Sequence, residues 1–297
     1  MFAPHVTHST LAHKRCLIPL VVSTNSARNT VLSKTTLFKR TRLWRVLFVP
    51  ALLLALSGKL THANENCKTT IFNEIVSVKS IIDGDTILLK DGRFIRLVGI
   101  NSPELNSKSP PAEPYAQEAK DALSALLQDV KQIGLMYGRD KHDHYQRLLA
   151  HAFLLDGTNI QAELLKQGTA QHILIPPNNA MYECYRQAEQ HAQTNNSGLW
   201  THPYFRIMDA DELTLRHIGF FRVIGRIKEI KKRNDNYWLV INERFSFRID
   251  GESLKYFKKS RPETLRTHAI QASGWIFPYK SGLNMRIQHP LNMKILD

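Results

Sequence analysis

The chain has 297 residues (34.1 kDa) and is 43% hydrophobic, enough to bury a core and to fill about two domains. That composition excludes a disordered chain and a coiled coil. The formal charge of +14 is unevenly spread: residues 1–64 hold 9 Lys/Arg and no acid, residues 65–205 hold 13 basic against 16 acidic side chains, and residues 206–297 hold 18 against 10.

Lys39, Arg40, Arg42 and Arg45 precede the uncharged run Val46–Ser57, and Thr61-His62-Ala63 then supplies small residues for a cut after Ala63. Charged, apolar, then small is the order of a secretory signal, so residues 1–63 read as a leader and the protein as exported, to a periplasm or outside the cell. The run has twelve residues and contains Pro50. A bilayer needs ~20, so no stable membrane span is expected after processing, with an uncleaved anchor as the alternative. Residues 1–38 are polar and lie upstream of the charged stretch; signals are usually ~15–30 residues long, so synthesis is expected to begin near Val31 or Leu37. Beyond the leader, Cys67 and Cys184 remain. In an exported chain they either form a disulfide or stay as thiols, because sequence does not place two sulfurs together.

Apolar, β-branched runs on both sides of Asp83-Gly84-Asp85, within Val76–Lys90, read as strand, turn, strand. Asp91-Gly92 turns into a third strand over Phe94–Ile100, which Pro103 ends. Ser107–Pro114 is a Pro/Ser loop. Tyr115, Ala119, Ala122, Leu123, Leu126 and Leu127 then recur at helical spacing, with Pro114 in the first turn. A strand over Arg147–Leu155, a helix over Ile160–Lys166 ended by Gly168, and a helix over Met181–Thr194 follow. Trp200–Asp211 reads as a linker. After it come strands at Phe220–Ile230, Tyr237–Ile241 and Phe245–Ile249, a helical turn or two at Ser253–Lys259, strands at Ala269–Phe277 and Asn284–His289, and an edge at Met293–Leu296. Three strands, a helix and two strands is the order of an OB barrel. Lys231-Lys232-Arg233 reads as a charged turn between strands.

The chemistry-bearing side chains stand at the turns of the middle segment. Asp83, Asp85 and Asn101 offer the oxygen ligands that Ca²⁺ or Mg²⁺ take. Arg96 is a charge among apolar strand residues, costly unless paired or facing a cleft. Glu104 follows Pro103 at a strand end, and Arg147 opens another strand. A metal that polarises a phosphate oxygen, arginines that hold phosphoryl charge and a glutamate that activates water are the parts of phosphodiester hydrolysis.

IIDGDT, RLVGINSPE, DHYQRLLA, Pro177-Asn178-Asn179 and Gly198-Leu199-Trp200 together resemble the thermonuclease (staphylococcal nuclease-like) family, from about Val76 to Trp200. The resemblance implies an α+β catalytic domain over 68–205, built on a five-stranded OB-type barrel with three helices. It implies metal ligands Asp85, Asn101 and the Ser102 carbonyl, an outer-shell Asp83, and catalytic Arg96, Glu104 and Arg147. The implied activity is metal-dependent hydrolysis of DNA and RNA with little sequence specificity, leaving 3′-phosphates. Calcium is the implied cofactor, with Mg²⁺ or Mn²⁺ as alternatives. Two departures stand out. Asn101 replaces a second metal-binding aspartate of the best-known members, removing one formal charge from the site. Ile173 and Ile175 stand where those members have tyrosines, so base stacking there is lost.

The C-terminal part, 212–297, resembles small OB-like domains attached to some bacterial members. Its excess of cations among aromatic residues suits a polyanion, preferably single-stranded. Lys231, Lys232 and Arg233 are candidate substrate contacts there, as are Tyr145 and Lys141 in the middle segment. The alternative reading is a nucleic-acid-binding protein whose hydrolysis is impaired by Asn101.

Overall fold

The computed structural model describes residues 67–105 and 112–297. The leader, its cleavage site, the early translation start and most of the Ser107–Pro114 loop lie outside the described residues. Among the described residues no helix is long and apolar enough to cross a membrane.

Five strands close the first barrel in the order β1-β2-β3-β6-β5. They are β1 (Glu74–Asp83), β2 (Thr86–Leu89), β3 (Phe94–Leu97), β5 (Gln132–His142) and β6 (Leu148–Phe153). One long strand makes closure possible: Glu74–Ser77 of β1 pairs with β5, and Val78–Asp83 pairs with β2. The third and fourth strands of the path, β3 and β6, run parallel. The third strand is shorter than its sequence suggested. Gly99, at φ 86°, turns the chain, and Ile100–Asn101 becomes a separate β4 paired with β7 (Gln171–His172). Only glycine fits that turn, since a Cβ there would lie 2.4 Å from the Tyr185 ring.

Helix α1 (Ala116–Leu126) begins two residues after Pro114, because Tyr115 adopts a left-handed φ of 65°. Pro114 therefore precedes the helix instead of occupying its first turn. Helix α2 (Ile160–Gln167) is capped by Asn159, whose side chain accepts from the Ala162 N–H, and ends at Gly168 at φ 72°. Helix α3 (Tyr182–Thr194) packs on α2. Their shared core holds a buried polar network. Tyr185 OH meets His151 Nδ1 at 2.7 Å and accepts from Asn159 Nδ2 at 3.3 Å, while Gln161 bonds the Ala152 N–H and the Ala150 carbonyl. The sulfurs of Cys67 and Cys184 are bonded, tying the segment before β1 to α3 across 117 residues.

The stretch read as a linker is ordered structure. It carries 3-10 turns at Gly198–Thr201 and Pro203–Phe205, then β8 (Ile207–Asp209), which joins the second sheet. That sheet runs β10-β11-β12-β14-β13-β9-β8, with β15 (Met293–Ile295) on β13. Its strands are β9 (Gly219–Arg226), β10 (Glu229–Arg233), β11 (Asn236–Val240), β12 (Phe245–Ile249), β13 (Ala269–Tyr279) and β14 (Gly282–Arg286). β9 and β10 act as one strand broken at Ile227-Lys228. Ile227 N–H bonds the His268 carbonyl on one side, and Lys228 N–H bonds the Val240 carbonyl on the other. β12 and β14 run parallel, so this second, mainly β unit repeats the strand order of the first. The Lys231-Lys232-Arg233 run lies inside β10; the turn is Asn234-Asp235, both at positive φ.

The two barrels touch. Arg222 of β9 lies over the Trp200 ring at 4.9 Å, Asn292 donates to the Leu174 carbonyl at 2.8 Å, and Tyr204 donates to Glu113 at 3.2 Å.

Candidate active site

Sheet register assembles the site. Asp83 and Asp85 flank the tight β1–β2 turn, where the Asp83 carboxylate accepts from the Asp85 N–H at 2.9 Å. Gly84 has no room for a side chain, since a Cβ would sit 2.7 Å from both the Ala119 and Ser102 Cβ atoms. The turn, the Ser102 loop and α1 are thus in direct contact at one backbone point.

Asp85 is buried, and its Oδ2 accepts from the Ser102 N–H at 2.9 Å. Pairing of Thr86 with Arg96 across β2 and β3 sets Arg96 beside it. Arg96 Nη2 lies 3.0 Å from Asp85 Oδ2, and Nη1 donates to the Leu97 and Ile100 carbonyls at 2.7 and 2.9 Å. A guanidinium has five N–H groups, so donors remain on Arg96 for an anion. β6 lies parallel to β3 and delivers Arg147 to the same place. Arg147 Nε donates to Asp143 at 2.7 Å, and Nη1 reaches Thr86 Oγ1 at 3.5 Å. Thr86 also donates to Asp85 Oδ1 at 3.2 Å, linking the two arginines through one hydroxyl and one carboxylate.

Glu104, an exposed residue, stands at the mouth of this cluster. Its backbone is fixed: Glu104 N–H donates to Glu113 Oε2 at 3.0 Å, and Glu113 N–H donates to the Glu104 carbonyl at 3.0 Å. Partial desolvation by the site walls, then the charges of Asp85 and Asp83, push its carboxyl up to about 7, against the opposing pull of Arg96. Burial likewise raises Asp85, and Arg96 offsets this only in part.

The donor set fits a hard cation. Asp85 supplies a carboxylate, Asn101 an amide oxygen and Ser102 a backbone carbonyl, all buried and all oxygen. Asn101 makes no side-chain hydrogen bond among the described residues. Negative charge is also in excess there: Asp85, Asp83 and Glu113 all act on Glu104 against Arg96, while Arg147 is matched by Asp143. Among the described residues no three or more His, Cys, Asp or Glu side chains are placed to hold a metal ion by themselves, so any ion would rely on the amide and the carbonyl as well.

The structure thus brings together Asp83, Asp85, Arg96, Asn101, Ser102, Glu104 and Arg147. It does not bring every sequence candidate there. Tyr145 stands at the edge of the site, 70% exposed, with its ring 5.4 Å from the Arg147 guanidinium. Lys141, at the end of β5, lies over Tyr137 at 5.5 Å. Lys231, Lys232 and Arg233 belong to the second barrel and make no contact with the Asp85 cluster among the described residues. Ile173 is buried, whereas Ile175 is 43% exposed. Sequence reasoning missed Thr86, Asp143 and Glu113. Asp143 stands four residues before Arg147, a spacing that offered a signal; Glu113 offered none.

A family model described as staphylococcal nuclease homologue matches residues 94–202. The chain is 33% identical over 135 residues to a thermonuclease of Staphylococcus intermedius, covering 44% of this chain and 79% of the relative. It is 32% identical over 148 residues to a thermonuclease of Staphylococcus hyicus, covering 49% and 82%. Endonuclease YncB of Bacillus subtilis (strain 168) is 30% identical over 131 residues, covering 42% of this chain and 61% of the relative. The matched family region ends before β8, ahead of the second barrel.

Proposed function

Because the chain belongs to the thermonuclease family, whose members named above are two thermonucleases and an endonuclease and so phosphodiester hydrolases, we propose that it is an exported, metal-dependent nuclease cutting DNA and RNA with little sequence preference. The observation that carries this is the convergence of Arg96, Arg147 and Glu104 on the Asp85 turn. Asp85, Asn101 and the Ser102 carbonyl would hold a divalent cation, Ca²⁺ first, with Mg²⁺ or Mn²⁺ as alternatives; when bound it supplies polarisation of a phosphate oxygen.

The protein's own groups do the rest. Glu104, at the mouth of the cluster, takes the proton of the attacking water as general base. Arg96, anchored by two carbonyls and Asp85, presents its remaining N–H groups to the phosphoryl oxygens. Arg147, oriented by Asp143, holds the charge that grows as the leaving oxygen departs. Export rests on the leader pattern and on the Cys67–Cys184 bond, since disulfides persist in oxidising compartments.

Asn101 favours a second reading, a nucleic-acid binder with impaired hydrolysis. The test is cleavage of single- and double-stranded DNA and RNA in Ca²⁺, Mg²⁺, Mn²⁺ or chelator, with Glu104→Gln alongside. Metal-dependent cleavage lost in Glu104→Gln supports the nuclease. Salt-sensitive binding without cleavage under any ion supports the binder.

A further inference from the structure

The outer face of the second barrel carries a cross-strand row that the hydrolytic site does not use. Lys231 lies opposite Trp238, Trp238 opposite Arg248, and Arg248 beside Arg286. Alternation along the strands sends their neighbours Tyr237, Leu239, Phe247, Ile249 and Met285 into the barrel core, so the row faces outward. The Trp238 ring stacks against Tyr279, with centroids 4.4 Å apart and planes at 32°. The Arg248 guanidinium lies 5.1 Å from the Trp238 ring, and Lys280 Nζ lies 5.7 Å from Tyr279. Beside this pair is a groove of ≈ 240 Å³ whose charged lining residues are Lys231, Arg233, Arg244, Lys280 and one acid, Glu243. Part of the charge is answered within the protein: Lys231 pairs with Glu229 at 3.0 Å, and Asp250 takes Arg248 and Arg286 at 2.5 and 2.7 Å. Arg233 and Lys280 have no ion-pair partner among the described residues.

We propose that this groove is a second binding site for the polynucleotide, taking an unpaired base on the Trp238–Tyr279 pair and the adjoining phosphates on Lys231, Arg233, Arg244 and Lys280. The proposal rests on the nuclease reading for the identity of the polyanion. Its chemistry is independent of that reading. Cations alone would suit any acidic partner, but a planar aromatic pair set among them matches a ligand that alternates rings with negative charges. A duplex keeps its base faces inside the stack, so the rings select single strands. The basic run is divided by its strand: Lys231 and Arg233 line the groove, while Lys232 points away, its Nζ 5.4 Å from the Tyr237 ring. Two of the three cations should therefore act, and the middle one should not.

Fluorescence anisotropy of the full chain with a labelled 12-nucleotide oligo(dT), in chelator so that nothing is cleaved, tests this. Trp238→Ala and Tyr279→Ser should each weaken binding by about 5-fold to 100-fold, the worth of one stacked base. Lys231→Gln with Arg233→Gln should lower the salt slope of log K by about 1.4, roughly 0.7 for each lost phosphate contact on a single strand. Lys232→Gln should leave affinity and slope unchanged. Unaltered binding in both ring variants, with melting temperatures showing them folded, overturns the site. So does a loss in Lys232→Gln equal to that of the pair, or binding of poly-glutamate but not of the oligonucleotide. Cleavage is scored separately with metal present. Bound but uncut oligonucleotide sinks the nuclease reading and leaves this one, and cleavage with binding indifferent to all the variants does the reverse.

Discussion

Replacing Glu104 by glutamine keeps the side chain's size and its backbone clasp with Glu113 but removes the proton acceptor. Turnover should fall by about 10²–10⁴-fold while oligonucleotide affinity in chelator stays the same, as read by parallel rate and anisotropy measurements. Asn101→Asp restores a formal negative charge among oxygens otherwise supplied by Asp85 and the Ser102 carbonyl. Calcium should then bind about tenfold more tightly, a change isothermal titration would detect; equal affinity in both proteins would remove Asn101 from the ligand set. The side chains singled out from the sequence and found together belong to short local runs, IIDGDT and RLVGINSPE, plus Arg147. Such runs are legible because turn chemistry fixes their geometry within a few residues. The roles of Thr86 and Glu113 were not. Thr86 matters through its pairing with Arg96 on another strand, and Glu113 through closing a loop onto Glu104. Neither relation is written in local spacing.

Elements that bury one face were read well, and those with a mixed role were not. β5 escaped notice because Gly134, Gly138, Arg139 and Lys141 break its alternation, and its second half is exposed. β8 reads as linker in the sequence because three residues pairing with a distant strand give no periodic signal. Two tests belong at this level. The Cys67–Cys184 bond spans 117 residues, and a loop of that length constrains the unfolded chain by up to about 4–5 kcal/mol in the chain-entropy account. Cys67→Ser with Cys184→Ser should melt well below the parent, and an unchanged midpoint would show that the bond carries no stability. The second test concerns His151, held neutral between β6 and α3. Burial pushes its imidazole down to about 4, whereas the unfolded chain takes up that proton near 6.5. Between those values the unfolded state binds more protons, so stability falls as pH drops through the window, by about 3 kcal/mol at its lower end. Glu189, pushed up to about 7 mainly by burial, acts with the opposite sign, costing stability as pH rises from 4.5. Comparing denaturant midpoints of wild type and His151→Gln from pH 4 to 7 isolates the histidine, because Glu189 is common to both. The variant should show the shallower acid limb.

At the scale of the whole molecule, the chain places a slightly acidic barrel and a basic barrel of the same strand order side by side. Rising salt should therefore slow cleavage of long single strands far more than cleavage of a dinucleotide too short to reach the second barrel, a contrast that rate measurements across salt would expose. The way the second barrel closes has a further consequence. Its broken first strand leaves β9 covered by β8, and β15 covers the free part of β13, but β10 pairs with β11 alone. Its sequence, Glu-Ile-Lys-Lys-Arg, is what an uncovered strand needs to repel another copy, because like charges discourage edge-to-edge association. Colloidal solubility and polyanion capture thus share Lys231 and Arg233, yet they differ in what they require. Solubility needs charge of either sign, whereas capture needs it positive. Lys231→Glu with Arg233→Glu should stay monodisperse in light scattering at high concentration while losing the oligonucleotide, and the neutral glutamine pair should be the one that self-associates.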